Sequence, residues 1–352
     1  MKRFLEGAAL VLLLLGLGAV GAWRWTEREL AKPHAFGATG EARTLAVPAG
    51  ESSRAILARL ESAGVLRSQL LTRLYLVRVL GDPPLLAGEY RFVSPISALE
   101  ALRKLRSGDV VTYPVTIVEG WTYFESAAAL AAAGFGDRAA LLAEVTNPAR
   151  IRELDPRATT LEGYLYPDTY RFPRGTAPGV AVDVLVAAFR RHWEREVRPL
   201  LAPGDKRTLR ELVILASLVE KETARAEERP LVAAVYANRL RRGMGLFADP
   251  TLIYGLRLAG RWDGDLRRRD LQADSPWNSY LRAGLPPGPI CSPGLASLAS
   301  AARPATTEFL YFVSRNDGSH VFSTGLAEHN RNVELWQRRY FRDQRRRDAA
   351  RN

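Results

Sequence analysis

TLRELVILASLVEKET, residues 208–223, is the stretch that decides the fold of this 352-residue chain. Thr208 and Glu211 have the spacing of a capping box, which predicts that a helix begins here. Residues 212–219 are apolar apart from Ser217. A helix that is apolar on every face belongs inside a core. Glu220 follows directly, near the expected C-terminal end of this buried helix.

Glu220 is the first candidate catalytic residue. Loss of water in the core and the negative pole of the helix dipole both favour the protonated form of its carboxyl. A carboxylic acid that stays protonated near neutral pH is what a general acid requires. A plainer interpretation is a glutamate at a helix end that pairs with Lys221 or with a nearby arginine. Both interpretations fit this segment alone.

The N-terminus predicts the compartment. Lys2 and Arg3 are positive, and residues 7–23 form an uncharged, mostly apolar run. At about 1.5 Å per residue, this run is just long enough to span a thin hydrocarbon core. The charges that follow it cancel, so the positive-inside rule places the N-terminus in the cytoplasm and the rest of the chain outside. We expect a retained anchor; the alternative is a signal peptide cleaved near Val20-Gly21-Ala22.

The composition is that of an ordinary globular protein, with 47% hydrophobic and 25% charged residues. The part after the anchor is long enough for two domains. Cys291 is the only cysteine, so no intrachain disulfide can form. The net charge of +12 would suggest nucleic acid in a cytosolic protein. Outside the cytoplasm, we expect lipid head groups and cell-wall polymer as the anionic neighbours instead.

The part between residues 44 and 133 reads as a small α+β module of short strands and amphipathic helices. It shows no catalytic constellation, so a spacer or a polymer-binding unit is the natural interpretation. Strands are predicted at 44–47, 88–93 and 110–118, and helices at 52–64, 68–80, 96–106 and 121–133.

LEGYLYPDTYRF, residues 161–172, is dense in aromatic side chains and holds two carboxylates. Tyr164, Tyr166 and Tyr170 fall at even spacing, so a strand would place them on one face. Such a face suits a sugar, whose apolar side packs on rings while its hydroxyls bond to Glu162 and Asp168. Packing of the strand against the core explains the same residues equally well.

In the rest of the chain, prolines and glycines indicate where helices, turns and loops begin and end. Pro230 predicts the first turn of a helix that Gly243 closes, and Asp249-Pro250 predicts a turn. Residues 274–294 carry five prolines and three glycines, which is typical of a stiff loop that shapes a site. A hairpin about Asn316-Asp317-Gly318 and a final helix at 326–338 complete the chain.

Six blocks stand in one order: LEGYLYPDTY, ILASLVEKET, VYANRLRRGMGLFADPTLIYG, SPWNSY, GLPPGPICSPG and LYFVSRNDGSHVFSTGLAEHN. In order and spacing the chain resembles the MltG-type (YceG-like) endolytic murein transglycosylases, from Thr44 to about Val333. The resemblance implies an α+β fold: an N-terminal transmembrane helix, a small LysM-like α/β subdomain and a larger mixed α/β catalytic domain. The boundaries that follow are a cytoplasmic N-terminus at 1–6, the membrane span at 7–23, a linker at 24–43, the LysM-like subdomain at 44–108, a connecting region at 109–160, the catalytic domain at 161–340 and a basic tail at 341–352.

The resemblance also implies the site. Glu220 occupies the position of the family's catalytic glutamate. Gly245, Phe247 and Ala248 depart from the longer or more polar residues usual in the family, and Trp277 replaces a common tyrosine, so the sugar subsites differ in detail. The substrate-binding residues expected are Glu162, Tyr166, Asp168, Tyr170, Asn238, Arg239, Asp249, Asn278 and Tyr280.

The reaction that this implies is cleavage of the bond between N-acetylmuramic acid and N-acetylglucosamine within glycan strands, leaving 1,6-anhydro ends. One carboxyl suffices, because the nucleophile is the substrate's own C6 hydroxyl. The four histidines lack metal-ligand spacing, so no metal and no cofactor are expected. As partners we expect peptidoglycan strands, the inner membrane and peptidoglycan synthases or division and elongation proteins, and no nucleic acid.

Two other function classes remain open on the sequence. A two-carboxylate wall hydrolase would need Glu162 or Asp168 beside Glu220 and would release ordinary reducing ends. A non-catalytic peptidoglycan-binding protein would keep the LysM-like module and tolerate loss of Glu220.

Overall fold

The structure, a computed structural model, describes residues 2–342, with side chains described from residue 13 onward. Helices and three two-stranded sheets make a mixed α/β fold in the described part. The chain forms two compact units. The first falls within residues 1–113 and 171–174, and the second within 114–170 and 175–352.

The first unit holds α1 (Lys2–Ala31), β1 (Ala42–Val47), α2 (Ser53–Ser62), α3 (Gln69–Arg78), β2 (Gly88–Val93) and α4 (Ala98–Ser107). The predicted strands and helices of this region are confirmed. Ser52, Ser68 and Ser97 cap α2, α3 and α4, each with a hydroxyl that accepts a backbone N–H of the first turn. β1 pairs antiparallel with β2, and a buried apolar cluster fills this unit.

The predicted membrane span, residues 7–23, falls in α1. Residues 7–12 of it lie outside the part of the chain whose side chains are described. Among the described residues, no helix combines the length and apolarity needed to cross a membrane.

β3 (Thr112–Ile117) and β4 (Asp168–Pro173) form the second sheet, and each strand contributes residues to both units. The strand predicted for Tyr164, Tyr166 and Tyr170 is wrong in its first part, because a turn and a bend occupy residues 162–165 and the strand begins only at Asp168. Gly163 has a φ of +85°, which ends any extended run there. The three tyrosines therefore do not share one strand face.

The second unit continues with α5 (Tyr123–Ala132), α6 (Arg138–Thr146), α7 (Pro178–His192), α8 (Leu209–Glu222), α9 (Arg229–Arg241), α10 (Asp249–Leu258), α11 (Leu295–Ala302), β5 (Tyr311–Ser314), β6 (His320–Ser323) and α12 (Leu326–Val333). The hairpin of β5 and β6 and the final helix are confirmed. Asp249-Pro250 does not form an isolated turn. It opens α10, where the missing N–H of Pro250 costs nothing because the first helical turn leaves that donor unpaired.

Helix α8 is the centre of the second unit. Thr208 and Glu211 form the predicted capping box: the Thr208 N–H donates to Glu211 at 2.7 Å, and the Glu211 N–H donates to the Thr208 hydroxyl at 3.2 Å. Every side chain from Leu212 to Val219 is buried, and α9 and α11 pack against the helix. The predicted core helix is confirmed, and it carries Glu220 in its last turn.

Candidate active site

The Glu220 carboxyl lies in the second unit with only 6% of its side chain exposed. Its Oε2 accepts the backbone N–H of Gly294 at 3.0 Å. Its Oε1 faces Nη2 of Arg229, in the first turn of α9, at 3.4 Å. Glu220 is thus a nearly buried carboxyl with two donors, one neutral and one charged.

A second carboxylate, Glu119, lies beside the first and was missed by the sequence analysis. A Cβ atom at Gly294 would overlap the Glu119 carboxyl, so this side chain lies directly against the residue whose N–H binds Glu220. The chain directly after Glu119 is held in place, since the Gly120 N–H donates to the Ser292 carbonyl at 2.9 Å. A carboxylate after strand β3, followed by a glycine, was the only sequence signal for this residue.

The groups around this pair have opposing effects on the pKa of Glu119. Loss of water raises the pKa of Glu119, the negative charge of Glu220 raises it further, and the guanidinium of Arg229 lowers it. Nε of Arg229 is buried without a partner among the described residues. Lys221 turns its ammonium to the carbonyl of Gly120 at 3.3 Å and adds a second positive charge nearby.

A cavity of about 450 Å³ opens at the last turn of α8, on the side of Glu222. Tyr236 donates its hydroxyl to Glu222 at 2.6 Å, and Tyr280 donates its hydroxyl to Asp249 at 2.6 Å. Burial raises the pKa of Glu222. Of the predicted binding residues, the structure brings three together here: Arg239, Asp249 and Tyr280.

Aromatic rings that the sequence analysis did not select complete this cavity. The Arg239 guanidinium lies 5.5 Å from the ring centres of both Phe247 and Tyr311. Phe247 is 44% exposed and has a φ of +53°, a conformation that β-carbon-bearing residues seldom adopt. His329 stacks on Tyr311 at 5.0 Å and carries a buried Nδ1 without a partner among the described residues. All of these residues lie in the sequence blocks, but their convergence is a property of the fold.

Glu162 occupies a different place, a pocket of about 140 Å³ that Tyr254 and Trp277 help to line. The residue is 2% exposed, and its Oε1 accepts the N–H of Tyr123 at 3.1 Å. Its Oε2 has no partner within the described residues that meets hydrogen-bond geometry. Burial raises the pKa of Glu162 to about 8, so the carboxyl is largely protonated at neutral pH. No hydrogen bond or ion pair joins it to Glu220 in the described part of the chain.

Most of the remaining predicted binding residues make hydrogen bonds to the main chain or stack on another ring. Asn238 and Asn278 are buried, and each amide donates to two main-chain carbonyls. Tyr166 stacks on His192 with ring centres 4.0 Å apart, and Tyr170 donates its hydroxyl to the Tyr166 carbonyl at 2.6 Å. Asp168 is exposed at the start of β4.

Within the described residues, no group of three or more His, Cys, Asp and Glu side chains is arranged to hold a metal ion. Cys291, the only cysteine, is buried and points its thiol at the Ser217 carbonyl at 3.4 Å. Burial raises the pKa of this thiol well above its ordinary value, which makes it a poor nucleophile.

Known proteins resemble this chain over most of its length. It is 30% identical over 307 residues to the endolytic murein transglycosylase of Bacillus subtilis strain 168, which covers 82% of this chain and 83% of that protein. It is 29% identical over 325 residues to the endolytic murein transglycosylase of Streptococcus pneumoniae serotype 2 strain D39, with 82% and 57% covered.

A solved structure shares the fold. The 2.6 Å crystal structure of a YceG-like protein from Listeria monocytogenes superposes with a TM-score of 0.56 at 30% identity, covering 83% of this chain and 99% of that one. A sequence model described as the YceG-like family matches residues 45–335. Because this match takes in both the small α/β unit and the helix that carries Glu220, the chain belongs to the YceG-like family.

Proposed function

We propose that this chain is an endolytic murein transglycosylase that cleaves the bond between N-acetylmuramic acid and N-acetylglucosamine within peptidoglycan strands. The observation that carries the proposal is the nearly buried Glu220 carboxyl with its two donors, Gly294 and Arg229. The names of the relatives from Bacillus subtilis and Streptococcus pneumoniae support the substrate class. Cleavage of this kind trims or ends nascent strands.

In this proposal, Glu220 acts first as general acid and then as general base. It gives its proton to the glycosidic oxygen, and the bond from that oxygen to C1 of the muramic residue breaks. The C6 hydroxyl of the same sugar closes on C1, and its proton returns to Glu220. The product ends in 1,6-anhydro-N-acetylmuramic acid, and no water enters the bond. Proximity of the substrate's own hydroxyl replaces the second carboxylate that hydrolases use.

The two donors of Glu220 suit the first of these steps. As the proton leaves, negative charge develops on the carboxyl, and the Gly294 N–H and the Arg229 guanidinium are already aimed at it. Donors that are fixed in advance stabilise developing charge without reorganisation. Their contribution grows along the reaction, which is the condition for accelerating it.

The cavity beside Glu222 is the place that we assign to a sugar of the bound strand. Phe247, Tyr280 and Tyr311 offer ring surfaces for the apolar face of a pyranose, and Asp249 offers an acceptor for its hydroxyls. Because the charge of Arg239 offsets that of Asp249, the cavity favours a neutral polar ligand over a highly charged one. Asn238 and Asn278 contribute indirectly, by holding the loops that shape this cavity.

The proposal also includes four residues that lie in β4 or in the segment just before it as contacts of the bound glycan: Glu162, Tyr166, Asp168 and Tyr170.

The membrane anchor at residues 7–23 is also part of the proposal. Its support is the apolar sequence run and the positive charge of Lys2 and Arg3 before it. The anchor keeps the N-terminus in the cytoplasm and the chain after residue 23 outside, at the inner membrane. Residues 44–108 then act as a LysM-like module that orients glycan. Deleting them should weaken cleavage of whole sacculi more than cleavage of short soluble glycans; equal losses would argue against a binding role.

Mass spectrometry of the fragments released from purified glycan strands tests the function. We expect 1,6-anhydro ends, including ends from internal bonds. A second candidate function, a two-carboxylate hydrolase, is favoured by one observation, the carboxylate of Glu119 beside Glu220. Ordinary reducing ends would establish the hydrolase in place of the transglycosylase, and no fragments at all would leave only a peptidoglycan-binding role.

A further inference from the structure

Helix α1 continues beyond the predicted membrane span and enters the first unit. It runs without a break to Ala31, and Leu30 in its last turn is 5% exposed and belongs to the buried apolar cluster of that unit. Oε1 of Glu29, in the same turn, lies 3.7 Å from Nη1 of Arg67, just before the cap of α3. The first unit is therefore packed directly onto the end of the helix that carries the proposed span.

This contact sets the distance between α3 and the bilayer surface. Burial raises the pKa of Tyr75 in α3, and the charge of Glu27 raises it further, so Glu27 of α1 lies near α3. Glu27 follows Trp23, the last residue of the apolar run, by about 6 Å along a helix. The head-group layer on each side of a bilayer is about 5–7 Å thick. In a membrane-inserted chain, α3 thus lies beside the head groups, at the level where exposed Trp23 and Trp25 suit the interface.

The outward side of α3 carries an apolar stripe. Leu70, Leu74 and Val77 fall within about 60° of one another around the helix. Leu70 is 78% exposed and Leu74 is 51% exposed, whereas Tyr75 and Leu76 on the opposite side are buried. The stripe has no aromatic ring and no carboxylate, which are the groups that would suit a sugar. An aliphatic partner fits it better.

Two arginines border the apolar stripe, one on each side. Arg73 lies about 40° beyond Val77 around the helix, and Arg78 lies about 40° beyond Leu74. Within the described residues, neither forms an ion pair, and Arg73 donates to the Ser53 hydroxyl at 3.1 Å. A helix face that is apolar in the centre and basic at both edges suits the boundary between acyl chains and anionic head groups. The arginine stems lie along apolar surface while their charged ends reach outward.

We propose that α3 makes a second contact with the membrane, in which the apolar stripe lies in the interface and Arg73 and Arg78 bind the phosphates of anionic lipids. This inference rests on the membrane anchor proposed above. Three apolar side chains are too few to hold a soluble protein at a bilayer, but α1 tethers them, so the contact is intramolecular and needs little affinity of its own. The second contact stops rotation of the first unit about the axis of α1 and thereby fixes the orientation of the module.

A label on α3 of the full-length chain tests this contact. Cys291 is buried, so an environment-sensitive fluorophore attached to Leu74→Cys reports on this helix alone. The chain is inserted into vesicles of phosphatidylethanolamine and phosphatidylglycerol, with a quencher carried either on the lipid tails or in the water. We expect the lipid-borne quencher to act on Leu74→Cys. The water-soluble quencher should act on the matched control Thr44→Cys, at an exposed position of β1.

Variants of the two arginines measure the electrostatic part of the contact. An arginine near an anionic leaflet contributes about 1 kcal/mol, so Arg73→Gln and Arg78→Gln should each lower the equilibrium constant for insertion of the label about fivefold. Arg91→Gln removes an exposed arginine from β2 and should leave that constant unchanged. An equal loss in Arg91→Gln would contradict the proposal, because net charge rather than α3 would then attract the lipid.

The quenching pattern also separates the other occupants of the stripe. A Leu74→Cys label that is quenched only from the water would overturn the proposal. A label shielded from both quenchers would also overturn it, since protein would then cover the stripe. Release of the chain from the vesicles by alkaline carbonate would show that the anchor fails, and the second contact with it. None of these measurements depends on glycan cleavage, so a failure of the contact is distinguishable from a failure of the proposed enzyme function.

Discussion

The N–H of Gly294 lies 3.0 Å from Oε2 of Glu220, although the two residues lie 74 positions apart in the chain. Gly294 is the residue before α11, and α11 packs against α8. The packing of these two helices therefore sets the position of the donor, and the site does not depend on a mobile side chain for it. Preorganisation of this kind is the main source of electrostatic stabilisation in enzymes.

Glu220→Gln should abolish cleavage and leave the fold intact. Glutamine has nearly the same shape and can still accept the Gly294 N–H, but it can neither give nor retrieve a proton. General acid–base catalysis contributes about 10²- to 10⁴-fold, and the only proton carrier of a reaction should lie at the upper end of that range. Fragment release from glycan strands measures the rate, and thermal unfolding checks the fold.

Glu222→Gln is the matched comparison, since α8 places this residue about 200° around the helix from Glu220. Its loss should raise KM through the cavity and leave kcat largely in place. Near-normal cleavage by Glu220→Gln would contradict the assignment of Glu220.

Local signals explain which parts could be predicted. The capping box at Thr208 and Glu211, the helices of the first unit and the hairpin turn at Asn316 depend on residues a few positions apart, and all are confirmed. The even spacing of the tyrosines in residues 164–170 led to a wrong prediction of a shared strand face. The same spacing is also compatible with the turn at Gly163, so it could not distinguish the two structures.

Long-range contacts explain what was missed. Glu119 gains its place from Gly294, and the Phe247 ring gains its place from Arg239 and from Tyr280, 5.5 Å away between ring centres. No pattern within one segment records such convergence, so these residues could be found only once the helices were packed.

Phe247→Ala should weaken glycan binding with little effect on the chemical step. Removing a ring that stacks on a sugar should raise KM by about 2- to 13-fold, the range expected for an aromatic contact of about 0.5–1.5 kcal/mol. The measurement is kcat and KM on short glycans, with binding to the inactive Glu220→Gln variant as a second readout. Tyr340→Ala, at another exposed ring, is the control. An unchanged KM would remove the cavity from the substrate path.

The span at residues 7–23 should remain on the mature protein. The apolar run follows two positive charges and is long for the core of a signal peptide. N-terminal sequencing of protein extracted from membranes should therefore find the original start of the chain. A mature N-terminus at Trp23 would show that the segment is a cleaved signal.

Glu162→Gln should flatten the dependence of stability on pH. Below about pH 4.5 the Glu162 carboxyl is protonated in the folded and the unfolded chain alike. Between that pH and its raised pKa of about 8, the unfolded chain releases the proton while the folded chain keeps it, so stability falls as pH rises. The pKa difference sets an upper bound of about 5 kcal/mol on this loss. Glutamine stays neutral, so the variant should be more stable than the unsubstituted chain at pH 8 and similar to it at pH 4.5. Urea unfolding across this range measures the effect, with Glu153→Gln as the control. A slope that persists in Glu162→Gln would mean that Glu162 is ionised in the folded protein and that its pocket admits water.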